Sequence, residues 1–437
     1  MATIIYLRAR KLWAKLLKIS GIIGAAEYRE IRAEIQSKIK YRQQDITSAD
    51  MREFLDWALN HHTDKSHFVP LASDDYVRKP GDPKIIAYYL PQFYQFPLND
   101  EWHGRGFTEW TNCAHAMPQF IGHHQPRVPI DVGFYNLETT HIMRRQIELA
   151  KKYGIFGFCF YYYWFSGDKI MEKPINNFLA DKSLDMPFCL FWANENWTQT
   201  WGEAARRGEK VFDASVKDGD AVKFVADIMP FWADPRYIKI DGRPVLIIYK
   251  HHDKRIPEFI ADIKRIAKGL GAMEPYVMML NNHEPQERNP IHYNADAVTE
   301  FNIIMQNVPT TLKNTPKIMN PLARFRHWDD AKTFIETRKY MYETDYPLYR
   351  GCFTTFDDTA RKIYGTGARI IDISPTLYQK WLTDILKWTR ESNNPEKLVF
   401  VSAWNEWAEA MHLEPDSKNG YAYLDATRKA MEESREQ

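Results

Sequence analysis

Glu406 and Glu409 stand three residues apart in the segment Ala403-Trp404-Asn405-Glu406-Trp407-Ala408-Glu409. Paired carboxylates suit glycosidic bond cleavage: one acid protonates the leaving oxygen while the other works as base. Trp404 and Trp407 bracket the pair. A carboxyl walled by indole is desolvated, which raises its pKa and holds it protonated near neutrality, whereas a better solvated partner stays ionised. The competing structural reading is that Glu409 caps a following helix or pairs with a cation. Aromatic residues make up 14% of the chain, with 14 Trp, 24 Tyr and 24 Phe. Such a surplus fits either flat-faced ligands such as sugars or simply a large core.

For these side chains to meet, the fold must bring strand ends to one face. Short apolar, β-branched or aromatic runs occur at 84–90, 155–163, 187–192, 244–249, 275–280, 296–301, 352–356 and 397–404. Amphipathic stretches such as THIMRRQIELAKKYG, IPEFIADIKRIAKGL and SPTLYQKWLTDILKWTR separate them. Near-continuous apolar strands alternating with helices predict a parallel sheet covered by helices. Eight such units predict an α/β fold of the closed (β/α)8 TIM-barrel kind, with its site at the C-terminal strand ends. The residues there are Tyr88 at the first, Trp164 at the second, and Trp192, Asn194, Glu195 and Trp197 at the third. Tyr249 follows at the fourth, Glu300 at the sixth, Arg361 after the seventh and the glutamate pair after the eighth. Trp201, His251, His252, Asn282, His283, Glu284 and Asn302 lie in the same loops. Rings stack on the C–H faces of sugars, and carboxylates and amides bind hydroxyls. The long connection from 91 to 154 is rich in Trp, His, Gly and Pro, and loops of this length are usually functional.

Residues 1–80 read as an N-terminal helical region, with Ser48 or Asp50 as candidate caps of the helix beginning there. Pro80, Gly81 and Pro83 then mark a boundary, and the barrel is expected over 84–430. The first twenty residues carry Arg8, Arg10, Lys11, Lys15 and Lys18 and no acid. Interleaved charges argue against a secretory signal, so the expected location is cytoplasmic. A basic amphipathic helix fits better, packed on its own protein or resting peripherally on an anionic membrane surface. Lys+Arg 58 against Asp+Glu 57 gives +1, which argues against a bulk nucleic-acid binder. Four cysteines without a CxxC pair rule out a disulfide scaffold and a cysteine zinc site, and neither metal nor cofactor is expected.

The segments AWNEWAEAMHLEPD, AYYLPQFY and WANENW resemble the WbsX-type proteins of bacterial surface-polysaccharide clusters. That group is similar to glycoside hydrolase family 99, the endo-acting α-mannosidases. The resemblance covers about residues 84 to 425. It implies a polysaccharide or oligosaccharide substrate and a retaining reaction without a protein nucleophile. Glu406 would remove the proton of the sugar 2-hydroxyl, giving an anhydro-sugar, and Glu409 would be the acid/base. Tyr88 and Tyr249 match strand-end tyrosines around the reacting sugar, and Arg361 would hold a hydroxyl or an anion. Two positions depart from the hydrolases: EWHE is EWAE here, with Ala408, and the glycine after the second glutamate is Ala410. WbsX-type proteins are also labelled glycosyltransferases, so transfer in O-antigen or capsule assembly is a second reading. A silent polysaccharide-binding module is a third.

Other patterns carry less. Asp218-Gly219-Asp220 has the form of a metal and nucleotide-sugar motif but precedes a helical stretch, where acids are favoured. Gly365-Thr366-Gly367 lacks a third glycine. The pairs His123-His124 and His251-His252 are adjacent, and neighbouring side chains on regular elements diverge. His103, His115, His283 and His412 are candidate pocket donors.

Overall fold

The computed structural model describes Lys15 and residues 46–198, 210–250, 253–281, 289–301, 324–327, 331–362 and 366–436. Outside them lie the basic helix expected at 1–20 apart from Lys15, the rest of the expected N-terminal helical region up to residue 45, and Trp201, His251, His252, Asn282, His283, Glu284, Asn302 and Gly365.

The strands that build the barrel are β1 (Lys84–Tyr89), β2 (Ile155–Phe165), β3 (Phe188–Trp192), β4 (Arg243–Ile248) and β5 (Tyr276–Asn281). They are followed by β6 (Ala297–Glu300), β7 (Leu348–Tyr349), β8 (Gly351–Phe353) and β9 (Leu398–Ser402). Their order in the sheet is β7-β6-β5-β4-β3-β2-β1-β9-β8, and neighbouring strands run parallel. Only Arg350 separates β7 from β8. One piece bonds to β6 and the other to β9, so together they fill one position and the (β/α)8 ring closes. The seventh strand therefore starts at Leu348, ahead of its expected range of 352–356, and ends within that range at Phe353, because a buried arginine in mid-strand reads as a break.

Ten helices are described: α1 (Ser48–Asn60), α2 (Pro97–His103), α3 (Glu109–His115), α4 (His141–Lys152), α5 (Lys173–Ala180), α6 (Asp220–Trp232), α7 (Ile256–Gly269), α8 (Ala331–Glu336), α9 (Pro375–Glu391) and α10 (Ala422–Glu433). The strands are apolar on both faces because both are covered. Along each strand side chains alternate between the barrel interior and the helical shell. Tyr88 points inward, its ring 5.5 Å from Phe191 and 5.8 Å from Phe400. Its neighbour Tyr89 points outward and gives its hydroxyl to Gln146 of α4 at 2.6 Å. The cap of α1 is neither Ser48 nor Asp50 but Thr47, whose hydroxyl accepts from the Asp50 amide while the Asp50 carboxylate accepts from the Thr47 amide. Asp220 opens α6 after Gly219, and Asp218 pairs with Arg255 at 2.7 Å, which accounts for that acidic tripeptide structurally.

The segment before the barrel is fastened to it through Val69, which bonds to both sides of Gly420: Asn419 O accepts from Val69 N at 3.0 Å and Val69 O from Tyr421 N at 2.9 Å. Gly420 has φ +61° and a Cβ there would stand 2.2 Å from Val69 O. Gly420→Ala is therefore expected to cost more than about 1 kcal/mol, read as a lowered urea midpoint; an unchanged midpoint would show that this junction yields freely.

Candidate active site

The eighth barrel position ends in a short turn that delivers both glutamates. After β9, Asn405–Glu406 pairs antiparallel with Met411–His412 around a 3-10 turn at Trp407–Glu409. Asn405 ties the turn to β1: its side chain accepts from Leu90 N at 2.7 Å and donates to Leu90 O at 2.9 Å. Beneath the turn, the buried Glu414 carboxylate accepts from Trp404 Nε1 (3.0 Å), Trp407 Nε1 (2.6 Å), Gln146 Nε2 (2.6 Å) and Tyr135 hydroxyl (2.9 Å). Burial pushes Glu414 up to about 7 despite those donors. Ala410 closes the turn at φ +57°. An alanine thus holds the left-handed conformation that a glycine takes without steric penalty.

Glu406 and Glu409 both border one cavity of about 500 Å³ at the C-terminal mouth of the barrel. Arg361 joins them. Its Nη2 donates to Glu406 Oε2 at 2.9 Å, its Nη1 to Glu409 Oε1, and its Nε to Glu109 Oε1 at 2.8 Å. One guanidinium, on the 3-10 turn Asp358–Arg361, therefore faces three carboxylates, one brought from α3 and two from the turn after β9. The expected cation pairing of Glu409 is thus present, but on the cavity wall: side-chain exposures are 10% for Arg361, 6% for Glu406 and 22% for Glu409. Burial raises Glu406 to about 8, with Arg361 opposing and Glu409 and Glu109 reinforcing the rise. Burial likewise raises Glu409, against Arg361 and with Asp358 and Glu109. A cluster of this charge retains a proton near neutrality, shared among its members.

Of the other expected ligand contacts, Glu195, Trp197, Tyr249 and Arg361 border the cavity. Seven do not. Trp404 and Trp407 are buried against Glu414, so the indoles that were expected to wall the pair support the turn instead. Trp164 and Trp192 occupy outward positions of β2 and β3; Trp164 Nε1 donates to Asp227 at 2.8 Å, and Trp192 packs 4.9 Å from Phe259 of α7. Tyr88 is inside the barrel behind Tyr161, Phe191 and Phe301. Asn194 links two loops through Lys250 O and N at 2.6 and 2.8 Å. Glu300 is consumed by a fully buried pair with Arg350 at 3.0 Å.

Residues 85–427 match the family described as Glycosyltransferase WbsX. The chain belongs to the WbsX family. Two WxcX proteins, from two strains of Xanthomonas campestris pv. campestris, are 37% identical over 357 residues, covering 79% of this WbsX-family chain and 49% of theirs. The chain spans about half the length of those curated relatives. A solved structure titled Glycoside hydrolase-like protein superposes with a TM-score of 0.51 at 14% identity, over 84% of this chain and 98% of that one. The GH99 endo-alpha-mannosidase from Bacteroides thetaiotaomicron gives 0.45 at 14% identity, over 80% and 97%.

Within the WbsX-family barrel, the insertion between β1 and β2 supplies what strand-end reasoning missed. Trp102 and Glu109 reach the cavity from it, beside His103, which the sequence offered as a candidate donor. The Trp102 ring lies 5.9 Å from Trp197, which lies 5.8 Å from Tyr163, forming an aromatic wall. Length and Trp/His content mark this insertion in the sequence, but nothing in it singles out Glu109. His115 and His412 stay off the cavity; His412 is buried, stacked 3.8 Å from Trp407.

Proposed function

We propose that this protein is a retaining glycoside hydrolase acting on α-mannose-like linkages of a surface polysaccharide, with Glu406 and Glu409 carrying the reaction. The observation behind this reading is that both carboxylates open into one ring-lined cavity, at unlike depths, bridged by one guanidinium. Glu406, the deeper acid, takes the proton of the sugar 2-hydroxyl as that oxygen closes on the anomeric carbon. Glu409, the more exposed, gives its proton to the departing oxygen and later takes one from the water that opens the anhydro-sugar. Arg361 keeps both carboxyls oriented. The reactive form has the cluster's proton on Glu409, so turnover falls on the alkaline side as the raised acids ionise.

Glu409→Gln tests this. Turnover on a mannan-like polymer is expected to fall about 10²–10⁴-fold, with polymer binding kept. Wild-type-like release of sugar by that variant would end the reading. The family description favours a second reading, transfer from an activated donor. A nucleotide- or lipid-linked sugar that raises the melting temperature, with no sugar released from any polymer, would establish it instead. No helix among the described residues is long and apolar enough to cross a membrane. Action in the cytoplasm, with membrane contact through the N-terminal basic stretch, belongs to this proposal.

A further inference from the structure

A second cavity of about 560 Å³ adjoins the first. The two share a wall, the antiparallel pair of Phe356–Asp357 with Thr366–Ile371. Phe356 and Arg369 border the first cavity, while Thr355, Asp357 and Ile370 border the second. The second also takes in the starts of α9 and α10, at Thr376 and at Ala422 and Tyr423.

Two of its cations, Arg127 and Lys418, make no direct ion pair among the described residues, although the buried carboxylates of Asp357 and Asp416 lie within electrostatic reach of Arg127. Arg127 is only 8% exposed, yet its Nε has no hydrogen-bond partner and its guanidinium forms no salt bridge among the described residues. Lys418 forms no salt bridge there either. His124, 6% exposed, has no hydrogen-bond partner on either ring nitrogen. The acids are better served. Asp357 accepts from His123 at 2.8 Å, Gln125 at 2.6 Å and the Thr359 amide at 3.0 Å. Asp416 accepts from the amides of Lys418 and Asn419 at 2.8 and 2.6 Å. Asp425 pairs with Lys429 at 2.7 Å, and Asp372 is solvated at the rim.

Buried donors without acceptors are uncommon and call for a ligand or ordered water. A guanidinium and an ammonium on one cavity wall match a phosphoryl group, whose oxygens accept from both. Barrels of this type often bind phosphate beside their last two strands. We propose that this second cavity is a binding site for a phosphoryl group, anchored by Arg127 and Lys418. Its volume leaves room for what the phosphoryl group is attached to.

The test titrates the full chain with inorganic phosphate, glucose 1-phosphate and UDP at constant ionic strength, reading melting temperature and binding heat. A saturable response to at least one probe is expected, retained in Glu409→Gln and at least tenfold weaker in both Lys418→Ala and Arg127→Gln. The tightest probe identifies the source: a sugar phosphate, a nucleoside diphosphate or the free ion. Should Arg127→Gln not fold, Lys418→Ala carries the comparison alone. The proposal is overturned by no saturable response in the wild type, by a response matched by chloride, by its loss in Glu409→Gln, or by unchanged affinity in Lys418→Ala. Because Glu409→Gln is inactive under the hydrolase reading, these outcomes are independent of turnover.

Discussion

Arg361→Met is expected to destabilise the protein by about 3–5 kcal/mol at pH 8 and to abolish turnover. The substitution strands Glu109, Glu406 and Glu409 around an uncharged side chain, in a site where the guanidinium itself is only 10% exposed. Burial already raises Glu406 and Glu409, and Arg361 is the first opposing influence on each. Without it both rise further. An acid whose pKa is higher folded than unfolded contributes stability that is complete below the unfolded value and disappears as pH climbs through the folded one. The deficit of Arg361→Met against the parent is therefore small near pH 5, where Glu406 and Glu409 are protonated, and full at pH 8. Urea denaturation at the two pH values measures it. A deficit of equal size at both would show that Glu406 and Glu409 do not depend on Arg361 for their charge.

The second large effect lies deeper. Arg350 donates to Glu300 at 3.0 Å, to Tyr340 O at 2.7 Å and to Tyr342 O at 2.5 Å, and its guanidinium lies 4.3 Å from the Trp388 ring. Its side chain and that of Glu300 are 0% and 1% exposed. Arg350→Met leaves a carboxylate inside the barrel wall without its cation, at a cost of about 3–5 kcal/mol. Glu300 Oε2 also accepts from Gly351 N at 3.1 Å, so the best compensating change keeps an acceptor there. Arg350→Met combined with Glu300→Gln is expected to recover at least half of the loss, since no buried charge remains. Denaturation midpoints of the single and double variants decide it: a double variant as unstable as the single would mean that the carbonyls of Tyr340 and Tyr342, not the charge, set the cost.

Arg350 also shows where sequence reading stops. Seven strands were legible to within a few residues because barrel strands covered on both faces are apolar throughout. The remaining one was displaced because its centre is a cation whose partner, Glu300, is fifty residues away. At the site, the glutamate pair was legible from residue type and spacing. What was not legible was parity. Trp164 and Trp192 were read as ligand contacts from their place at strand ends, yet alternation puts them under the helices and leaves Tyr163 and Phe191 at the cavity. Without a reference residue of known direction, the two faces of a strand apolar on both sides look the same. Trp404 and Trp407 were misread for a related reason: their partner, Glu414, carries no pattern that predicts four donors. Glu109 was invisible because an irregular insertion has no periodicity to orient it.

The three arms of Arg361 reach 252, 48 and 45 residues along the chain. A contact set so far from local forms only when the ring of strands has shut, and such closures come late in folding. Chains caught on the way will show helix and partly quenched tryptophan while lacking any working centre. During refolding, recovery of turnover should accordingly trail recovery of circular dichroism, which makes catalysis itself the reporter of ring closure.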